Sequence, residues 1–532
     1  MSYDTAKYTN LVQGQKKAIF SWWYVDNTDQ YSMMGCYSPY ARNFRVKGAS
    51  VQIRPWHQFF KTLASGDYPR WIWSYLRANT ANNVLVIRHN ISSTKKLYTL
   101  KADWTLTEVT TDSNIASDNR MRFVNVWDVV YCMNGVDNYW MLNGVTYTHP
   151  TTWVSWLAPS FWVVFSWKMV VSWWSANPNK VYYSKADDYW DFNSSWAVQA
   201  TFQEQLTGLC STGQALFYFT PNTISVTDKD DIVNTGWVIT YNSIPLQVKE
   251  WAYNHDCIVW VGNSVYYLSN AMSIKKIQRN TSNMWFETMD LSDRPSQGIT
   301  NLLWRIDKNQ PDAFGRFYPQ ENLIKWFFRW PWSTFNDVCV VYDLVHDTFY
   351  IDSNKYFYDS VFFDGYNYSL STLEPKVYID EYWYDDEWSP TPFEYRTKEF
   401  YVSGQFKNIL RESRTLVDIN ELAVLEQKIY IDWRQIDTKT IDKDNIPFSI
   451  GWIWTSEIWT TAIWVDWPSK YDIWLNDDLY EVQILRTRGN LNKLGTKIQY
   501  RFSCWQVGAK LALKTVMPKL ETKPPIITPL TT

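Results

Sequence analysis

Short apolar runs rich in Val, Ile, Tyr and Phe alternate with clusters of Asn, Asp, Ser and Gly along most of the chain. Runs of ~4–8 residues bounded by turn formers predict β-strands. Sustained helical spacing is nearly absent. Two short windows, Leu416 to Glu426 and His57 to Ala64, are the best helical candidates. Hairpins are predicted to start near Val84, Phe123, Val163, Leu216 and Ile258. A small pattern recurs as Asn179-Lys180-Val181-Tyr182-Tyr183, Asn263-Ser264-Val265-Tyr266-Tyr267, Pro375-Lys376-Val377-Tyr378-Ile379 and Gln427-Lys428-Ile429-Tyr430-Ile431, with fainter echoes at Lys96-Leu97-Tyr98 and Gly144-Val145-Thr146-Tyr147. Each copy reads as a strand leaving a turn.

Most of the hairpin spacings are close to the ~40–45 residues of one β-propeller blade. The expected fold is therefore all-β, a propeller of six or seven blades followed by a β-sandwich. Residues 1–64 form an N-terminal arm and lead-in strands, 65–392 the propeller and 393–515 the sandwich, with strands at Glu394 to Ser403, Lys428 to Trp433, Val482 to Arg486 and Ile498 to Cys504. Residues 516–532, with four prolines after position 517, read as a flexible tail. A chain of β-sandwiches is the competing architecture, kept open by irregular spacing after Ile258.

Composition adds one anomaly. The 532 residues include 34 Trp and only 18 Gly, whereas ordinary usage of ~7% would give roughly 37 glycines. Trp104, Trp433 and Trp467 each follow Asp between β-rich runs, where Asp-Gly would make a hairpin turn. Trp388 lies in the polar turn Asp-Asp-Glu-Trp-Ser-Pro. Three readings compete: an aromatic binding surface, ordinary core tryptophan, or a reassigned stop codon that the source reads as glycine. Turn geometry favours the third, for Trp56, Trp104, Trp388, Trp433 and Trp467 at least.

Charge and candidate chemistry narrow the function. The net charge is −3, with no basic stripe of the kind that grips phosphates. The N-terminus lacks a basic segment followed by an apolar run, and the most apolar stretch, Phe161 to Trp174, is shorter than the ~20 residues of a membrane helix; no membrane span is expected. The six cysteines include no CxxC pair and read as free thiols. Five histidines show no metal-ligand spacing. His255-Asp256 and His346-Asp347 could each orient a base, but hydrogen-bonded turns explain them more simply. Asp228, Asp230 and Asp231, Asp385 to Glu387, and Asp477 with Asp478 read as solvated turns rather than glycosidase pairs or calcium loops. No phosphate loop, Gly-x-Ser-x-Gly elbow or sialidase Asp-box appears. The sequence assigns no catalytic, cofactor-binding or metal-binding residue, and the chain reads as a non-enzyme without cofactor.

Several segments, in order, resemble the β-propeller proteins of bacteriophage tails. Ile53-Arg54-Pro55-Trp56 is similar to an Arg-Pro-Gly segment near their start. Asn177-Pro178-Asn179-Lys180-Val181-Tyr182-Tyr183-Ser184, followed by Asp188-Tyr189-Trp190-Asp191-Phe192, resembles a mid-propeller strand and its sequel. Asp385-Asp386-Glu387-Trp388-Ser389-Pro390 with Tyr395-Arg396-Thr397-Lys398 resembles the junction to their C-terminal sandwich. The resemblance spans about residues 40 to 435 and points to the nozzle and packaged-DNA stabilisation proteins of short-tailed phages. It implies a structural virion protein in the tail, made in the host cytoplasm. Such a protein forms a ring, most often of six copies, that extends the portal channel and retains packaged DNA. Its partners would be further copies of itself, the portal or adaptor and other tail proteins, and DNA that passes without sequence-specific binding. The alternative from a different class is a carbohydrate-binding or glycan-cleaving propeller, as a receptor-binding module or depolymerase.

Overall fold

The computed structural model describes residues 18–19, 23–24, 37–63, 69–111, 119–148, 159–293, 299–383, 392–441, 480–486 and 494–522, some single residues and short segments within these ranges excepted. The described chain is almost wholly β. Its one α-helix among the described residues is the single turn Thr300–Leu303. The chain divides into two compact units, one of residues 23–29 and 55–387, the other of residues 1–22, 30–54 and 388–532.

The first unit is a succession of seven small antiparallel sheets. The first runs Pro69–Tyr75, Val84–Ile91, Thr94–Leu100, Leu106–Glu108. The second runs Arg122–Val126, Val129–Met133, Trp140–Asn143, Thr146–Thr148, with Thr110–Thr111 added in parallel. The third is Pro159–Phe165, Lys168–Trp173, Lys180–Tyr183, Val198–Thr201. The fourth is Gly208–Ser211, Ala215–Phe219, Ile224–Asp228, Ile244–Leu246, interrupted by a separate hairpin of Ile232–Thr235 and Val238–Tyr241. The fifth is Ile258–Val261, Ser264–Leu268, Ile274–Arg279, Phe286–Asp290. The sixth is Phe314–Tyr318, Leu323–Phe328, Val338–Asp343, Thr348–Ser353. The seventh takes Phe357–Phe363, Tyr366–Ser371 and Lys376–Trp383, and its fourth strand is Trp56–Thr62 from far upstream.

Each sheet packs on the next. Trp71, Val86 and Leu97 of the first meet Phe123, Val130 and Leu142 of the second. Tyr131 and Met133 meet Trp162, Met169 and Val171. Phe165, Val170 and Val181 meet Leu209, Leu216 and Tyr218, and Phe217 and Ile224 meet Val265, Tyr267 and Ile277. The Trp326 Nε1–H of the sixth sheet donates to the Cys257 carbonyl at the start of the fifth, 3.1 Å away. Gly315 sits at this junction because a Cβ there would lie 2.7 Å from Val259 and 2.8 Å from the Trp326 ring. Tyr318 and Ser360 hydroxyls join sixth and seventh at 2.9 Å. Phe60, Leu370 and Val377 of the seventh then pack on Ile72, Leu85 and Leu100 of the first. A sheet covered on both faces needs apolar residues on both, which is why Leu323–Phe328 and Val338–Asp343 are buried at every position.

The second unit holds two larger sheets. One orders Tyr480–Arg486, Asn408–Ile419, Leu511–Thr522, Ser50–Ile53 and Phe44–Lys47, with Ala18–Ile19 and Leu494–Gly495 attached at its long strands. The other orders Tyr40–Arg42, Phe393–Arg396, Lys497–Cys504, Leu425–Ile431 and Arg434–Ile441, with Phe400–Tyr401 paired to Lys497–Cys504. Phe44 of the first meets Tyr395 of the second edge to face at 6.3 Å.

Three expectations are corrected. The described residues of Leu416 to Glu426 are not helical: they end strand Asn408–Ile419 and start Leu425–Ile431, whose residues alternate between buried and half-buried as a strand on one core requires. His57 to Ala64 is not helical either, because Trp56–Thr62 completes the seventh sheet; that partner lies more than 300 residues downstream, which no local pattern reveals. The tail expected from residue 516 is wrong as far as residue 522, since Leu511–Thr522 is the strand between Asn408–Ile419 and Ser50–Ile53; residues 523–532 lie outside the described residues. The strand tolerates Pro518 opposite Ser413.

Candidate functional site

Five charged side chains lie in or just before the first strands of four sheets in the first unit. Arg120 and Arg122 precede and open the second sheet, Asp256 precedes the fifth, Arg316 is in the sixth and Asp359 in the seventh. These five side chains meet. Arg122 grips Asp256 through two nitrogens at 3.2 and 2.6 Å. Arg120 bridges Asp256 at 3.1 Å and Asp359 at 3.2 Å, and Arg316 reaches Asp359 at 2.6 Å. Arg122 also donates to the Ser160 carbonyl of the third sheet at 3.0 Å. The Leu209 N–H of the fourth sheet donates to His255 Nδ1 at 3.3 Å. Side chains from in or just before the first strands of the second, fifth, sixth and seventh sheets thus meet in one ion network, which the third sheet joins through the Ser160 carbonyl.

The electrostatics follow from this crowding. Burial would raise the Asp256 carboxyl, but the Arg120 and Arg122 guanidiniums hold it far below the usual carboxylate range. Burial lowers His255 to about 3, helped by Arg122 and opposed by Asp256. His255 is therefore a neutral acceptor for a backbone amide. It makes no base pair with Asp256, whose oxygens serve arginines.

A second cluster is fully buried between the sixth and seventh sheets. Lys325 Nζ lies 2.8 Å from Asp380 and 2.5 Å from Glu381, and Lys355 bonds Asp380 as well. Neighbours in a strand normally point to opposite faces. Here the pairing with Trp56–Thr62 slips between Ile379 and Trp383, and Glu381 adopts φ 57, so both carboxylates reach the same two ammonium groups. Burial would raise Asp380, yet Lys325 and Lys355 pull it well below its ordinary value. Neither charged residue of this pair of adjacent acids stood out in the sequence, because its partners are 25 to 56 positions away.

His346 Nδ1 lies 2.7 Å from Asp343, and Asp347 accepts from the Tyr342 hydroxyl. Asp228 accepts from the Asp230 amide and pairs with Arg279 at 3.1 Å. Asp228, Asp230 and Asp231 border a shallow cavity of about 270 Å³ with Arg279, Trp285 and Phe286. His57 packs edge to face on Tyr378 at 4.8 Å. Asp385 to Glu387, Asp477, Asp478 and His149 lie outside the described residues, as does the His89 side chain. Among the described residues no three His, Cys, Asp or Glu side chains are placed to hold a metal, and no helix is long and apolar enough to cross a membrane. Cys132, Cys210, Cys257, Cys339 and Cys504 are free and buried, and burial raises every one of these thiols, Cys210 to about 12, which keeps them protonated.

Of the five tryptophans expected at glycine positions, Trp433 is 60% exposed with φ 67. Trp56 instead opens a strand, paired with Trp383. Trp104, Trp388 and Trp467 lie outside the described residues.

No protein family matches the chain, and no curated protein matches it. Among solved structures, a computationally designed protein, Ika8, is similar at 10% identity over 61% of this chain and 99% of its own, with a TM-score of 0.33. The extracellular domain of the putative one-component system BT4673 from B. thetaiotaomicron is similar at 9% identity over 62% of this chain and 40% of its own, with a TM-score of 0.37.

Proposed function

We propose that residues 55–387 are a seven-bladed β-propeller, that the second unit is a β-sandwich, and that the chain is a non-enzymatic, ring-forming component of a short-tailed phage tail. The observation that carries the propeller is the seventh sheet, whose fourth strand comes from Trp56–Thr62 while the other three come from residues 357–383. A blade shared between the two ends of the repeat is how a ring of sheets is fastened, and it leaves only short protected edges. The packing of the seventh sheet on the first and the meeting of Arg120, Arg122, Asp256, Arg316 and Asp359 from in or beside the first strands of four sheets support the same arrangement.

The tail assignment rests on the ordered motifs around Pro55, Asn177 and Tyr395. In this reading the ion network fills the propeller's own axis, so the DNA path is the lumen of a ring of copies. A ring subunit contacts its neighbours through two different surfaces. Electron microscopy of purified particles and of the isolated protein tests this directly. The expected result is a rotationally symmetric ring on the tail axis; a stable monomer absent from the tail would overturn it.

A glycan-binding propeller is the second reading, favoured by exposed aromatic rings. Trp330 and Trp332 stack at 5.4 Å, and Trp332 is 79% exposed, a surface of the kind that marks binding. Titration with bacterial surface polysaccharides, read by tryptophan fluorescence, separates the two.

A further inference from the structure

Five hairpins among the described residues turn through two central residues, both described, and each has glycine or tryptophan where the backbone becomes left-handed. At the first central position stand Gly262, φ 57, between Val261 and Ser264, and Trp127, φ 54, between Val126 and Val129. At the second stand Gly365, φ 82, between Phe363 and Tyr366; Trp167, φ 60, between Phe165 and Lys168; and Trp433, φ 67, between Ile431 and Arg434. The residues before the last three, Asp364, Ser166 and Asp432, also have positive φ, so these three turns share one geometry, that of the type I′ hairpin. Glycine enters it without steric penalty, whereas a bulky side chain there is an outlier.

Burial does not compensate the tryptophans. Trp127, Trp167 and Trp433 are 73%, 62% and 60% exposed. Trp326 shows the contrary behaviour: it has no exposed surface, and its indole N–H donates to Cys257, as a buried indole requires. The chain therefore holds two populations, one placed as tryptophan is placed and one placed as glycine is placed.

We propose that Trp127, Trp167 and Trp433 are glycine in the protein as its source makes it, through a UGA codon read there as glycine. Trp326 is true tryptophan and is specified by UGG. The excess of tryptophan and the shortage of glycine then have one cause. The proposal stands independently of the tail reading, and it bears on the rival one: aromatic rings on these turns would not exist to bind a glycan.

The gene gives the first test. UGA at 127, 167 and 433 with UGG at 326 is expected; UGG at the three turns overturns the proposal. Peptide mass spectrometry of protein from its natural source gives the second, with glycine expected at 167 and 433 and tryptophan there overturning it. In the chain as written, Trp167→Gly and Trp433→Gly should each raise Tm by roughly 1–3 °C. A fall in Tm for both would mean the indoles stabilise the turns and would also overturn it.

Discussion

In the seven-sheet unit almost every strand pairs with its neighbour in sequence, whereas in the two-sheet unit Leu511–Thr522 lies between Asn408–Ile419 and Ser50–Ile53. The contacts between sheets also differ in the two units. The first buries arginines, lysines and carboxylates in two ion networks. The second also buries Arg45 and Arg54 and pairs Glu394 with Arg501, but one bond that joins its sheets is neutral, Gln427 Nε2 to Thr415 Oγ1 at 2.8 Å. Local pairing makes a unit whose sheets close cheaply, since short loops cost little entropy. What local pairing does not specify is which sheet sits beside which. Buried charges do specify it, because a wrong neighbour leaves an ion without a counter-ion.

The strongest way to break that contrast is to remove Asp380. Lys325 and Lys355 then lose the carboxylate they share most closely, in a site without solvent. We expect Asp380→Ala to destabilise the seven-sheet unit by about 3–5 kcal/mol. Hydrogen exchange should rise in residues 323–328, 357–363 and 376–383 and stay unchanged in 408–419 and 511–522. Equal loosening in both units would show that the comparison divides a single cooperative body.

The same contrast explains what the sequence reveals. The alternation of apolar runs and turns gives the all-β class, and the predicted starts at Val84, Phe123, Val163, Leu216 and Ile258 all fall in strands. Val84 and Leu216 belong to second strands and the others to first strands, so their spacing does not measure the sheet repeat, whose first strands begin at Pro69, Arg122, Pro159, Gly208 and Ile258. The Lys-Val-Tyr-Tyr pattern likewise falls on the third strand of the third sheet but the second strand of the fifth, so it marks strands, not sheets. Trp56–Thr62 and Leu511–Thr522 were illegible because their partners are remote. The ion networks were illegible for the same reason: Arg120 and Asp359 are separated by 239 positions.

Acid sharpens the comparison with a smaller effect. His255 stays neutral in the folded unit down to about 3, against an ordinary value of 6.5. The unfolded chain therefore takes up this proton first. The stability tied to His255 is full above the ordinary value and is lost progressively as pH falls toward 3. Asp256 acts in the same direction at lower pH: the contribution of its depressed carboxyl is full above the ordinary value of 3.8 and is lost progressively as pH falls below it. Denaturation followed from pH 7 to 4 should show the seven-sheet unit weakening first. His255→Asn keeps an acceptor near the Leu209 amide and does not titrate, so it should flatten that slope; an unchanged slope would remove His255 from the account.

The smallest effect belongs to the two-sheet unit. Thr415 has no exposed surface and Gln427 is 1% exposed, so their bond is made away from water. Thr415→Val preserves shape and deletes the acceptor. A buried amide N–H left without a partner costs about 1–3 kcal/mol, whereas replacing both partners by apolar groups is nearly neutral. Thr415→Val alone should therefore lower the stability of this unit measurably, and Thr415→Val with Gln427→Leu should recover most of the loss. The matching experiment in the other unit behaves differently, because Asp380 serves two lysines and no single second substitution neutralises what it leaves behind. Chemical denaturation of the single and double variants, read as a coupling energy, measures the difference. If Thr415→Val is neutral while Asp380→Ala is not, only the charged junction discriminates between sheet neighbours. If the Thr415 and Gln427 effects simply add, the bond carries no pairwise energy, and the two-sheet unit relies on apolar packing such as Phe44 on Tyr395.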